Sequence, residues 1–244
     1  NDEKTGHFDV QLGWKKWASY TSISYNDFGD LRMGTHGPNE YLKTYYVVPN
    51  FDGSDEVLTN ENALVQKPSA YTQYNVTQKV RFAPNENWDF QYGFHYSETS
   101  DYSRYDRHLR MRNGLPRYAQ FDYGPQKWMM NVLEISNFAK SKIYDEMVIR
   151  FAYQNFEESR ISRNLNNTNR EIRIEKVDAY SFNIDFNKKI GTKNKLFYGV
   201  EYVFDKVNSE GIDEDITTGV QVEGPARYPQ ADWQSIGIYL NDQY

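Results

Sequence analysis

The sequence predicts an all-β chain, an antiparallel up-and-down transmembrane β-barrel segment with about nine strands of a larger barrel. Three observations predict it. Aromatic residues recur at every second position, most clearly in Trp88-Asp89-Phe90-Gln91-Tyr92-Gly93-Phe94-His95-Tyr96, and this is the period of a strand whose successive side chains point to opposite faces. Connections alternate strictly between tight turns and long loops, as the two sides of an outer-membrane barrel do. Aromatics make up 16% of the 244 residues while mean hydropathy is -0.86, which suits strands that are apolar on alternate residues only. No run approaches the roughly 20 apolar residues of a membrane helix.

The elements follow in order. His7 to Gly13 is a first strand with Phe8, Val10 and Leu12 on one face, and Gly13 to Lys16 connects it tightly to a second, Trp17 to Asn26. From Asp27 to about Ala70, Gly, Pro, Asn and Asp recur without a sustained period, giving a loop of about 40 residues, beyond the usual limit in a compact domain. Tyr74, Val76, Val80 and Phe82 mark a third strand, which Pro84-Asn85-Glu86-Asn87 turns into the aromatic stretch. A long connection from about Thr99 to Pro125 precedes a fifth strand, Lys127 to about Phe138, which is apolar on both faces at points, so its facing stays open. A turn at Lys140-Ser141-Lys142 leads to Met147, Ile149, Phe151 and Tyr153. A third loop is expected over about Glu158 to Ile174. Tyr180, Phe182, Ile184 and Phe186 form the next face, Lys188 to Lys195 the turn, and Leu196, Tyr198, Val200 and Tyr202 the face after it. A fourth long connection, about Asn208 to Ala231, leads to Ile236, Ile238 and Leu240. No helix is expected.

On this pattern Phe90, Tyr92, Phe94, Phe151, Phe182, Ile184, Tyr198, Val200, Ile236 and Ile238 face lipid, and Gln91, Asn183, Asp185 and Glu201 face a wet lumen with His95. All five tryptophans, Trp14, Trp17, Trp88, Trp128 and Trp233, fall at strand ends, where aromatic girdles are expected. Single-chain bacterial barrels close with an even number of strands, so an odd count implies a segment. Leu240-Asn241-Asp242-Gln243-Tyr244 loses its alternation, and Asn1 to Gly6 is expected as the tail of an extracellular loop. Asn1 opens a polar run without a signal peptide, as expected if a leader has been removed or the chain is an internal piece.

The absence of cysteine excludes a disulfide framework, a thiol nucleophile and a Cys-ligated zinc site. A net charge of -6 argues against nucleic acid as a partner, since phosphate binding requires a basic surface. No Gly-rich phosphate loop, HExxH or GxSxG occurs. Glu157 and Glu158 are adjacent on a strand end and point to opposite faces, a poor geometry for glycoside hydrolysis. No catalytic residue, metal site or cofactor is expected, and the chain is expected not to be an enzyme.

Several stretches carry a family resemblance. Arg32-Met33-Gly34-Thr35-His36-Gly37-Pro38-Asn39-Glu40-Tyr41 in the first long loop is one. Tyr123-Gly124-Pro125-Gln126-Lys127-Trp128-Met129-Met130-Asn131, Ala152-Tyr153-Gln154-Asn155-Phe156-Glu157-Glu158-Ser159-Arg160 and Glu175-Lys176-Val177-Asp178-Ala179-Tyr180-Ser181 are the others. Over nearly the whole chain these resemble the barrel of TonB-dependent outer-membrane receptors of the Bacteroidetes type. The resemblance implies a barrel of about 22 strands holding a plug, localisation in the bacterial outer membrane, and TonB-driven import of a scarce ligand such as a siderophore, haem, cobalamin or a glycan. It places residues 1–244 wholly within the barrel domain, with the plug and the TonB box outside them. The implied partners are outer-membrane lipid and lipopolysaccharide, TonB through the plug region, and a small-molecule or glycan ligand.

Candidate ligand-binding residues lie in the two longest loops. His36, Glu40, Tyr41 and Tyr45 in the first could bind haem iron or catecholate groups, because imidazole and phenolate ligate iron; aromatic packing over a barrel rim is the plainer alternative. Arg104, Tyr105, Arg107 and His108 in the second suit carboxylate or phosphate groups, with anionic lipopolysaccharide or a solvated loop as alternatives. Asp213-Glu214-Asp215 and Asp52-Gly53-Ser54-Asp55-Glu56 could hold Ca²⁺ but lack EF-hand spacing, which favours solvated acidic loops. Two other functions remain open: a soluble carbohydrate-binding β-sandwich and a standalone small outer-membrane barrel acting as an adhesin or esterase-like enzyme.

Overall fold

The computed structural model describes residues 2–244, leaving Asn1 outside the described residues. Nine long strands dominate them: β1 (Glu3–Gly13), β2 (Trp17–Phe28), β3 (Tyr71–Asn85), β4 (Trp88–Thr99), β5 (Lys127–Asn137), β6 (Glu146–Asn164), β7 (Asn169–Ile190), β8 (Asn194–Asp215) and β9 (Ala231–Gln243). Each is antiparallel to its neighbour in sequence, so one continuous meander runs from β1 to β9. The up-and-down β-barrel segment is therefore the observed fold.

The period of two fixes two faces. One register row crosses all nine strands as Leu12, Ser19, Val80, Tyr92, Leu133, Phe151, Phe182, Tyr202 and Ile236. A row on the opposite face reads Gly13, Ala18, Arg81, Gln91, Glu134, Arg150, Asn183, Glu201 and Gly237. Its charges are paired: Arg150 Nε bonds Glu134 at 2.7 Å, Arg150 Nη1 bonds Asp185 at 2.9 Å, and Asn183 Nδ2 bonds Glu201 at 2.8 Å. Register also settles β5, where Met129, Leu133 and Ile135 lie on the aromatic face and Trp128, Met130 and Val132 on the polar one.

Neither face of the sheet is covered by a core. The buried apolar residues among those described are Val47, Ala119 and Phe121, all outside the nine strands. Accessible surface is 15201 Å², against about 11,300 Å² for a water-soluble monomer of this mass. Large apolar side chains are among the exposed residues, Ile236 and Ile238 at 72% and 80%.

The upper edge of the aromatic face, at the long-loop end, descends in steps. Tyr25 sits opposite Tyr74; one register pair lower, Tyr96 sits opposite Met129; a further pair lower, Tyr153, Tyr180 and Phe204 are mutually opposite; Ile236 is one pair lower again. Three such steps amount to about 20 Å along the strands over about 34 Å across them, an inclination of about 30°. Above this line the same face becomes charged, with Glu98, Lys127, Glu157 and Lys176 in one row. Lys127 and Lys176 reach Glu157 at 3.0 and 3.3 Å.

Several expectations are corrected. The girdle at this edge is built from tyrosine. Trp128 and Trp233 alternate onto the polar face, where Trp128 Nε1 bonds Gln154 at 3.2 Å and Trp233 lies opposite Asp205; only Trp17 and Trp88 among the strand tryptophans share the aromatic face. The third long loop does not exist as such. β6 and β7 continue to a turn spanning 165–168, and on the other side of β7 charged partners on β8, Glu214 for Arg170 (2.6 Å) and Asp213 for Arg173 (2.9 Å), sustain the ladder where the apolar pattern stops. β3 runs through Pro84 to Asn85 with a register irregularity after Phe82, as a residue lacking N–H requires. β1 already begins at Glu3, and β9 stays paired with β8 through Gln243 despite its lost alternation. One short helix, Tyr105–His108, was not expected.

Candidate functional site

The first two long loops fold into a canopy at one end of the sheet. In the first, Leu31–Arg32 pairs with Val65–Gln66 and Tyr45–Val48 with Glu56–Thr59, and Asn39–Tyr41 forms a 3₁₀ turn. In the second, Tyr102–Ser103 and Tyr118–Tyr123 join the main sheet, with the helix Tyr105–His108 between them. The first loop's hairpin tip turns at Gly53, whose φ of +79° favours glycine. Here the tip meets the turn of the β6–β7 hairpin. Arg163 Nη2 and Nη1 bond Asp55 at 2.6 and 3.0 Å, Asn166 N donates to Asp55 at 2.7 Å, and the Asp55 and Arg163 side chains are 0% and 2% exposed.

This geometry withdraws the acidic segments from metal chemistry. Asp55 serves Arg163, Asp52 accepts from Ser54, Asp213 and Glu214 pair with Arg173 and Arg170, and Asp215 caps Thr217 and Thr218. Among the described residues no group of three or more His, Cys, Asp or Glu converges as a metal site.

Six of the eight candidate residues come together where the two loops meet. Tyr105 Oη donates to the Tyr41 carbonyl at 2.9 Å, and Tyr45 Oη reaches Met111 Sδ at 2.8 Å and the His108 carbonyl at 3.5 Å. Arg104 holds Asp106 through two hydrogen bonds of 2.9 and 2.7 Å and donates to Tyr123 Oη at 2.7 Å, while Arg107 lies over the Phe121 ring. Much of the guanidinium chemistry expected to reach outward is thus spent on aromatic faces within the canopy. His36 and Glu40 do not join: both are exposed, and His36 Nδ1 contacts only Thr35 Oγ1, at 3.2 Å.

Lys43 is the member sequence reasoning missed. Its chain is 2% exposed and its ammonium lies 5.0 Å from the Tyr45 ring centroid and 5.8 Å from that of Tyr105. Burial lowers it to about 8. His108, also 2% exposed, is lowered to about 4, first by burial and then by the charge of Lys43, with Asp106 opposing. Burial raises the phenols of Tyr45 and Tyr105, so both stay protonated. Nothing in the local sequence Leu42-Lys43-Thr44 marks Lys43, because its burial depends on docking of a loop about sixty residues away. A second feature lies on the polar face, a concavity of about 1020 Å³ lined by Tyr20, Lys79, Arg81, Gln91, His95, Trp128 and Glu134 among others.

Solved structures share this architecture. The chain is similar to the copper transporter OprC, with 12% identity and a TM-score of 0.61 over 98% of this chain and 32% of that one. It is also similar to the ferric yersiniabactin uptake receptor FyuA from Yersinia pestis, with 13% identity and a TM-score of 0.57 over 98% of this chain and 34% of that one. The likeness is one of fold, an antiparallel up-and-down barrel wall. The chain spans about a third of the length of each neighbour, as a segment of barrel wall with its canopy does. No protein-family model matches, and no curated protein does.

Proposed function

We propose that this chain is part of the barrel wall of a TonB-dependent outer-membrane uptake receptor of the Bacteroidetes type, and that it performs no catalysis. The observation that carries the proposal is the inclined aromatic belt on a sheet face with no protein core behind it. Strands of a membrane barrel tilt by roughly 35–45°, so a level bilayer edge must cut obliquely across register rows, as the Tyr25-to-Ile236 line does. Along β4 the belt from Trp88 to Tyr96 runs about 26 Å, a height of about 20 Å once a strand tilt of about 40° is taken into account, on the scale of the roughly 25 Å apolar band of such barrels. Polar groups inside it bond one another: Thr21 Oγ1 and Gln78 Oε1 at 2.6 Å, Gln78 Nε2 and Ser19 Oγ at 3.0 Å, Tyr92 Oη and Asn131 at 2.6 Å. Hydrocarbon demands that satisfaction.

On this reading the canopy is extracellular and captures a scarce ligand such as a siderophore, haem, cobalamin or a glycan. The polar face lines the lumen, where a plug coupled to TonB would sit in the intact receptor. Lipopolysaccharide surrounds the exposed loop residues. The likeness to two transport proteins supports the reading. The test is detergent dependence: the chain should fold and stay monodisperse only in detergent or bilayers. Folded, monodisperse protein in plain buffer would instead favour a soluble carbohydrate-binding sandwich.

A further inference from the structure

We propose that Lys43 and His108 form an oxyanion site at the junction of the first two loops, taking a carboxylate or phosphate group carried by a soluble ligand. The inference rests on the canopy being the extracellular ligand-capturing surface.

A buried ammonium is costly unless a counter-charge and hydrogen bonds accompany it. Lys43 Nζ is fully enclosed and makes no hydrogen bond, and both ring nitrogens of His108 are in the same condition. The surrounding groups supply no anion. Asp106, the nearby carboxylate, holds Arg104 through two hydrogen bonds and lies 3.6 Å from Arg107 Nε, which itself donates no hydrogen bond. The hydroxyls of Tyr45 and Tyr105 are committed to the opposite loop, and burial keeps both as phenols. A buried ammonium and a neutral imidazole near enough to feel its charge therefore both hold unused donors, with two aromatic rings walling the ammonium. A ligand oxyanion would neutralise the ammonium and accept from the imidazole N–H, a charge-assisted pairing of the strong kind. Monatomic chloride fits less well, since it cannot present separate oxygens to separate donors. Entry requires Tyr45 or Tyr105 to swing aside, so capture is coupled to parting of the loops.

Burial lowers Lys43 to about 8. Affinity should accordingly be highest below that value and fall about tenfold per pH unit above it, as the free site loses its positive charge. Lys43 packs against Tyr45 on its own loop and Tyr105 on the other, and its charge acts on His108, with Asp106 on the far side of that imidazole. Burial keeps both phenols protonated to higher pH, so the lysine sets the alkaline limb.

The test is imidazole NMR of the chain in detergent micelles, with inorganic phosphate and acetate as probes and chloride at matched ionic strength as control. The chain has four histidines, and His108→Gln identifies the relevant resonance. Phosphate or acetate should shift that resonance saturably and chloride should not. Lys43→Met should weaken the response at least tenfold, and Lys43→Arg should retain it; strand amide protection in each variant confirms that the barrel is folded. A folded chain whose His108 resonance ignores both oxyanions, or one still responding fully in Lys43→Met, overturns the site and leaves the membrane-receptor reading standing. Lipid A in the micelles producing the shift while free phosphate and acetate do not would overturn a soluble ligand as its source. Folding without detergent would instead strike at the receptor reading itself.

Discussion

Asp55 and Arg163 are 108 positions apart in sequence and meet as a fully enclosed, doubly hydrogen-bonded pair. Removing one partner strands the other's charge, which for buried pairs costs about 3–5 kcal/mol. Arg163→Ala should therefore undock the first loop's tip while the sheet persists. Exchange of the Asp55 and Asn166 amides, both bonded across this junction, should accelerate by on the order of a hundred- to several-thousandfold; unchanged protection would show that the pair carries none of the docking. His108 makes a second prediction at this scale. Burial and Lys43 depress it from 6.5 to about 4, so the closed junction refuses a proton that the open loops accept. The contribution of His108 to closure is then complete above pH 6.5 and is lost progressively as pH falls toward 4, by about 3 kcal/mol in all. Spin labels at the exposed Glu61 and Arg112 should give a distance distribution that broadens between pH 7 and 5. A distribution unchanged to pH 4.5 would refute it.

Among the elements, the β6–β7 hairpin shows how legibility in sequence follows physical cause. The strands inside the belt were readable because an apolar face forces strict alternation: Phe90-Tyr92-Phe94 and Phe182-Ile184 could be assigned to one face, and the register bears out each assignment. Beyond the belt both faces meet polar surroundings and the constraint disappears. Glu158 to Ile174 then looks like loop, although charged cross-strand partners such as Arg173 and Asp213 keep it in strand. Trp128 misled for the opposite reason, since an aromatic at a strand end says nothing of its face until register is known. At the canopy, composition singled out Tyr41, Tyr45, Arg104, Tyr105, Arg107 and His108, which the fold brings together, but not that Lys43 would be buried against Tyr45 and Tyr105, because loop docking leaves no period. Gly53 tests the docking geometry. A Cβ there would stand 2.9 Å from Thr168 Cγ2 in addition to occupying positive φ, whereas at Gly191, φ +60°, nothing lies within 4 Å. Gly191→Ala should cost about 1–2 kcal/mol from backbone strain alone. Gly53→Ala should cost more, and Thr168→Ser, which removes that methyl, should recover the difference. Equal costs at both glycines would mean that the tip does not close on the turn.

For the whole molecule, the decisive question is what covers the aromatic face, and a matched pair of substitutions on neighbouring positions answers it. Phe151 and Ala152 are consecutive on β6; Phe151 lies opposite Leu133 and Phe182 in the middle of the belt, and Ala152 opposite Val132 and Ser181 on the polar face. If lipid covers the belt, Phe151→Arg places a guanidinium near mid-bilayer and should destabilise the chain by about 2–4 kcal/mol in denaturant titrations from liposomes. Ser181→Arg, on the polar face, should change stability by less than about 1 kcal/mol, because lumen positions are hydrated. In a water-soluble sheet the order would not hold: Phe151 is 46% exposed, and an exposed substitution typically moves stability by about 0.5 kcal/mol or less. A small effect at Phe151 would therefore assign the belt to a protein partner or to water, and the inclined line of tyrosines would need a cause other than a bilayer.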